Sequence, residues 1–337
     1  MGKCFIVAEM SANHGGDKSV AIETIKAAKR AGADAIKLQT YTADTITLDC
    51  DKPDFVINEN SIWDGRKFYE LYQKAYTPWE WHEELFKVAH DEGLVCFSSP
   101  FDKTAVDLLE SLNAPMYKIA SFEITDIPLI EYAASKMKPM IIATGIAEIE
   151  DIQLAVDACR RVGNNDITLL KCTSAYPAPV EEANVIMIRE LAERFGVKAG
   201  LSDHTIGAMV PVLAAANGAV MIEKHFILNK DIESEDSTFS MDETEFRDMV
   251  QKVRLAEAAM GKVDYSLTEK MKNSRTASRS LYVAEDMKAG DIITEQNVRS
   301  VRPGYGLAPK FLPEILGKQV NRDLKKGDRM SLEYIGN

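Results

Sequence analysis

The chain has 337 residues, 46% of them hydrophobic, with 40 Lys and Arg against 52 Asp and Glu for a formal net charge of −12. That acidity argues against nucleic-acid binding, and no stretch has the roughly 18 uncharged apolar residues of a membrane span. Five scattered cysteines (Cys4, Cys50, Cys96, Cys159 and Cys172) form no CxxC pair and read as reduced thiols. The first apolar run starts too early for a signal peptide, so a cytoplasmic protein is expected.

Apolar, β-prone runs alternate with helical patterns along most of the chain. Strands are expected at 5–9, 35–40, 94–98, 116–120, 140–144, 168–172, 198–202 and 220–224, and helices at 19–31, 78–92, 103–112, 127–135, 149–162, 183–195 and 206–218. Eight such repeats ending near residue 262 predict an α/β fold, a (β/α)8 TIM barrel over 1–265. An open doubly wound sheet is the second reading, but no GxGxxG follows the first strand. The connection 41–77 is far longer than an ordinary β–α loop and holds Trp63, Phe68, Tyr69, Tyr72 and Tyr76, as lids and binding loops do. A polar, basic linker over 266–280 leads to a small β-rich module, 281–337, with short strands near 280–283, 291–293 and 298–302. Such a module is marginal unless it docks on something.

In barrel enzymes the reacting groups lie at the C-terminal ends of the strands. Those ends give Glu9 with Asn13 and His14, Lys37 with Gln39, Ser99, Lys118 with Ser121 and Glu123, Thr144, Ser174 with Tyr176, Ser202 with His204, and Glu223 with His225. Alternate side chains of a strand share a face, so Ser202 and His204 point one way, as do Glu223 and His225 on the next strand. Two neutral imidazoles side by side, with Asp203 and Glu223 near, suit a divalent metal ion whose other positions stay open to water or substrate. The lysines and hydroxyls read as an anion site for phosphate and carboxylate. His14 reads equally as a turn residue or a catalytic one, whereas His82 and His90 are expected at the surface.

These residues resemble the sialic-acid synthases, which condense phosphoenolpyruvate with an N-acylated amino sugar. The likeness is carried by Ala8-Glu9-Met10-Ser11-Ala12-Asn13-His14-Gly15, Lys118-Ile119-Ala120-Ser121, Cys172-Thr173-Ser174-Ala175-Tyr176-Pro177, 201–205, 223–226 and Val301-Arg302-Pro303-Gly304. Within that family, 9–11, 38–44 and 75–82 are similar to the pseudaminic acid branch. The resemblance implies that His204 and His225 bind a divalent ion, usually Mn2+, and that Lys37, Ser99, Lys118, Ser121, Ser174 and Ser202 hold phosphoenolpyruvate. Glu9, Gln39, Glu123, Tyr176 and Asp236 would face the sugar or the metal-bound water, with Glu9 or Glu223 as the base.

The end module resembles the antifreeze-like (SAF) domain of the same family. By that likeness Arg302 would reach the sugar from the partner chain of a domain-swapped homodimer. Ala143 departs from the pattern, standing where some relatives place a serine on the phosphate; Thr144 is the candidate substitute. The implied substrates are phosphoenolpyruvate and the acetamido-hexose 2,4-diacetamido-2,4,6-trideoxy-L-altrose. A neuraminate or legionaminate synthase is the alternative, followed by a Schiff-base aldolase on Lys118 or Lys171 and a noncatalytic sugar-binding protein.

Overall fold

The computed structural model describes residues 2–58 and 63–336. Its first eight strands are β1 (Phe5–Glu9), β2 (Ala35–Thr40), β3 (Val95–Pro100), β4 (Tyr117–Ile119), β5 (Met140–Ala143), β6 (Ile167–Cys172), β7 (Lys198–Asp203) and β8 (Met221–His225). They pair in parallel in chain order, and β8 returns to β1 to close a barrel. The closed barrel excludes the doubly wound alternative. The strands read as apolar runs because both of their faces are covered; β1 is buried from Ile6 to Glu9.

Capping carboxylates start several of the surrounding helices. Asp17 accepts from the Ser19 N–H at 2.7 Å ahead of Lys18–Ala31, and Asp102 accepts from the Thr104 and Ala105 N–H groups ahead of Lys103–Ser111. Loss of such a cap typically costs about 1 kcal/mol. Behind them, apolar stripes such as Ala21, Ile25 and Ala28 turn inward onto the strands.

Inside the barrel, Val7, Ala35, Phe97, Ile141, Ala143, Leu170, Cys172 and Met221 form an apolar plug. It fills the lower barrel, so polar groups from the strand ends can meet only above it. Gly200 belongs to the same inward row of β7. A Cβ there would run into the Met221 carbonyl and lie 2.9 Å from Leu170 Cδ2, so glycine lets β7 and β8 close up.

The long connection after β2 is folded rather than open. It contains the helices Ala43–Ile46 and Phe68–Ala75 and a 3-10 turn at Pro53–Phe55, while 59–62 lie outside the described residues. Tyr41 stacks edge-on against both Tyr72 and Phe101, at 5.7 and 5.1 Å. Arg66 and Lys74 both pair with Glu235, at 2.6 and 3.0 Å, which ties this segment to the loop after β8.

The chain divides into two compact units, Met1–Gly261 and Lys262–Asn337. In the second, β9 (Ser280–Val283) and β10 (Val298–Val301) pair antiparallel over a core of Leu281, Val283, Met287, Ile293, Val298, Ile315, Val320, Leu324 and Met330. The strand expected near 291–293 contributes one isolated bridge, Ile292 with Gln319, and Ile293 lies in that core. Part of the expected linker is helical, at Glu269–Ser274. Among the described residues, no helix is long and apolar enough to cross a membrane.

Candidate active site

Above the plug lies a cavity of about 880 Å3. It gathers the polar groups Glu9, Lys37, Gln39, Lys118, Ser121, Glu123, Ser174, Tyr176, Ser202, His204, Glu223, His225 and Asp236, while the ends of β3 and β5 contribute the apolar Phe101 and Ile146. Ser99, from β3, lies in the floor as the 3.2 Å hydrogen-bond partner of Lys37 Nζ. Arg302 belongs to the second unit, exposed one residue beyond β10.

The floor is a buried charge cluster. Lys37 Nζ lies 2.7 Å from Glu9 Oε2 and 3.6 Å from Glu223 Oε1, and Lys118 Nζ lies 2.7 Å from Glu223 Oε1. Both lysines were expected to hold an anion; the structure pairs them with two carboxylates. Burial is the main force pushing Glu9 up to about 7, and Glu223 beside it adds to the push. Gln39 orients Glu9 by donating to its Oε1 at 2.9 Å, and donates also to Ser11 Oγ at 2.8 Å.

The register pairs Ser202 with Glu223 across β7 and β8. His204 and His225 therefore fall opposite each other, with ring centroids 5.3 Å apart. In its neutral form His204 donates Nδ1–H to the Thr173 carbonyl at 3.0 Å and keeps the Nε2 lone pair, while, against the pull of burial, Cys172 and that carbonyl raise the imidazole above its ordinary value. His225 Nδ1 is buried without a hydrogen-bond partner, its nearest carboxylate being Asp236 Oδ2 at 3.8 Å. Burial, with His204 and Lys37 adding to it, holds His225 well below the ordinary imidazole value and so neutral. Two imidazole nitrogens with unused lone pairs fit a divalent ion. Among the described residues no cluster of three or more His, Cys, Asp or Glu is arranged as a metal site. An ion there would take its remaining ligands from water and substrate.

Ser121, Ser174 and Gly145 crowd to one point around Cys172, whose Sγ lies 3.9 Å from His204 Nδ1. The Gly145 N–H donates to Ser121 Oγ at 3.2 Å, and a Cβ on Gly145 would strike the Ser174 hydroxyl. Ala143 is in the plug and Thr144 Oγ1 donates to the Leu170 carbonyl at 3.1 Å, so neither supplies a hydroxyl to the cavity. The glycine backbone was missed because a backbone donor leaves no side-chain signature.

Two of the remaining histidines are structural. His14 Nδ1 accepts from the Gly16 N–H at 3.0 Å and Nε2 meets Thr77 Oγ1 at 3.2 Å, away from the cavity. His82, expected at the surface, is fully buried and bonded to Thr40 Oγ1 at 2.9 Å. It starts the helix His82–Asp91 on the face that packs against the barrel, so a polar residue there is held by a partner. His90 is exposed.

Asn13 fastens the mouth. Its amide donates to the Phe226 carbonyl at 2.9 Å and to Ser240 Oγ at 2.7 Å, and its Oδ1 accepts from Ser234 Oγ at 2.5 Å. These bonds span the loop that carries Asp236.

Glu123 Oε2 is buried without a hydrogen bond, and burial raises the group from 4.5 to about 7. The folded chain thus holds this proton more tightly than the unfolded chain. Glu123 therefore removes stability as pH rises from about 4.5 to about 7, after which its effect levels off. Glu123→Gln is expected to match the wild type below pH 4.5 and to unfold about 4–7 °C higher at pH 8, by thermal denaturation. Equal midpoints at pH 8 would refute the assignment.

Known proteins resemble this chain along nearly its whole length. The chain is 50% identical over 328 residues to the pseudaminic acid synthase of Campylobacter jejuni, covering 97% of this chain and 95% of the relative. It is 35% identical over 338 residues to the N,N'-diacetyllegionaminic acid synthase of Legionella pneumophila, covering 98% and 94%. Among solved structures, the spore coat polysaccharide biosynthesis protein SpsE of Bacillus subtilis superposes with a TM-score of 0.67 at 31% identity, over 100% of this chain and 96% of that one. An SAF domain matches residues 278–328. With the NeuB family profile matching residues 24–265, the chain belongs to the NeuB family.

Proposed function

We propose that the chain is a pseudaminic acid synthase. It condenses phosphoenolpyruvate with 2,4-diacetamido-2,4,6-trideoxy-L-altrose and releases phosphate. The observation that carries this reading is 50% identity to such an enzyme over 97% of the chain, against 35% to a legionaminic acid synthase. The cavity's second wall supports the sugar: Tyr41, Ile57, Phe68, Leu71 and Phe101 suit a hexose with a methyl at C6 and two acetyl methyls. The deciding experiment is mass analysis of products from phosphoenolpyruvate with that sugar, with the legionaminate precursor and with N-acetylmannosamine. A nine-carbon product from either of the latter two alone would overturn the reading.

In this reaction a C–C bond forms between C3 of phosphoenolpyruvate and C1 of the open-chain sugar. Water then adds at C2, and the C–O bond to phosphate breaks. Lys37 and Lys118 hold the carboxylate and phosphate, helped by the hydroxyls of Ser99, Ser121, Ser174 and Ser202. Asp236, Tyr176, Gln39 and Glu123 orient the sugar, and Glu9, poised near 7, takes the proton from the attacking water. Positioning and fixed charge supply most of the rate. A divalent ion on His204 and His225, Mn2+ in this reading, would supply Lewis-acid polarisation of the aldehyde oxygen.

Removing one lysine takes a charged hydrogen bond from phosphoenolpyruvate. Lys118→Met or Lys37→Met is expected to weaken its binding by about ten- to a hundredfold, or about 1.5–3 kcal/mol, by calorimetry. An unchanged dissociation constant in both would remove the lysines from the site.

The dimer reading is supported at the mouth of the barrel. Phe122, Ile146, Ile149, Val180, Ile206 and Met209, on the loops after β4 to β7 and the helix starts they lead into, are 47–64% exposed. So many large apolar side chains on neighbouring loops are unusual for a finished surface. A second copy's C-terminal module would cover them and bring its Arg302 to the sugar.

A further inference from the structure

Behind the two histidines, on the outer face of the barrel wall, sits a second buried ion pair that faces no cavity. Strand alternation turns Asp203 and Lys224 outward where His204 and His225 turn inward. The two are register partners across β7 and β8. Lys224 Nζ lies 2.5 Å from Asp203 Oδ2, and their side chains are only 1% and 2% exposed. Lys224 also donates to the Thr205 carbonyl. The Asp203 carboxylate in turn accepts from the Thr205 N–H at 3.0 Å and the Thr205 hydroxyl at 3.1 Å. The backbone on both sides of His204 is thus fastened to the residue just before His225.

A buried ion pair is a poor source of stability, since an apolar pair of similar volume often does as well or better. Neither residue lines the cavity, so neither touches substrate. What the pair does constrain is the offset of β7 against β8 at the one level where the two imidazoles stand 5.3 Å apart. We propose that Asp203 and Lys224 are positioning residues that set the spacing and direction of His204 and His225 for a divalent ion. The inference rests on the metal reading above.

Lys224→Met alone would strand a buried carboxylate and is expected to destabilise the fold. The deciding variant is therefore Asp203→Leu with Lys224→Met, which removes both charges and puts apolar side chains of similar shape in their place. Mn2+ binding is read on the full chain without substrates, by loss of the free-ion paramagnetic resonance signal. Thermal midpoint and metal-free phosphoenolpyruvate affinity are measured alongside. The expected result is a folded protein with phosphoenolpyruvate affinity unchanged and Mn2+ affinity about 10- to 100-fold weaker, the range found when groups supporting metal ligands are lost. A milder variant, Thr205→Val, removes one hydrogen bond and should weaken Mn2+ about threefold while folding normally. Wild-type Mn2+ affinity in both variants, whatever their thermal midpoints, would overturn the inference and leave the metal reading standing. A wild-type protein that leaves the Mn2+ signal unchanged would overturn both.

Discussion

Alanine at His204 or His225 is expected to yield a folded protein whose turnover falls by about a thousandfold or more. A Lewis acid at the aldehyde is worth several kcal/mol in the transition state, and each 1.36 kcal/mol is tenfold in rate. Chelation of the wild type should reproduce the loss, and Mn2+ should reverse it. The two rings pack against each other and on Phe239, at 5.0 Å from His225, so each truncation also opens a small void. A thermal midpoint lowered by several degrees is therefore compatible with the prediction, whereas an unfolded variant would not test it and His225→Gln would then be read instead. Full activity in a metal-free sample would refute the role of the pair. It would favour the lysine-based aldolase, which the local chemistry opposes. Lys118 is held protonated by Glu223 and Glu9 against the pull of burial. Lys171 donates to the Cys172 carbonyl and the Thr173 hydroxyl, outside the cavity.

The barrel was legible because its strands are buried on both faces and its helices on one, so period and composition differ sharply between them. The inward set at the strand ends was legible for the same reason: Ser202, His204, Glu223 and His225 are polar residues on otherwise apolar strands. Pairing was not legible. Nothing in the order of residues says that Lys37 and Lys118 share Glu9 and Glu223, because those contacts span the barrel interior. Strand alternation separates Lys224, on the face opposite Glu223 and His225, from Lys118, which lines the cavity, but it does not name the partner of Lys224, Asp203. His82 was misplaced because one buried polar residue on an amphipathic helix looks like an exposed one until its partner, Thr40, is known. The helices inside the 41–77 segment were hidden by their brevity, since four- and eight-residue helices owe their stability to the aromatic cluster they pack on.

Mixing two crippled full-length chains, Arg302→Ala and His225→Ala, is expected to restore activity that neither has alone. In the proposed reading Arg302→Ala would lose charged hydrogen bonds to the sugar, about ten- to a hundredfold in kcat/KM, and His225→Ala is expected to be nearly inert. If Arg302 acts across a twofold dimer, a mixed dimer holds one site with both lesions and one with neither. Random reassortment of equal amounts makes half the dimers mixed, and half the sites in those are intact. About one quarter of wild-type activity should therefore return. Differently tagged chains, co-expressed and purified through both tags, raise the expected value to about one half. An arginine acting within its own chain predicts something else: each barrel then carries one lesion in every combination, and mixing changes nothing. Activity at the mean of the two variants, about half that of Arg302→Ala alone, in doubly tagged dimers of proven composition would rule out the exchange of arginines between subunits.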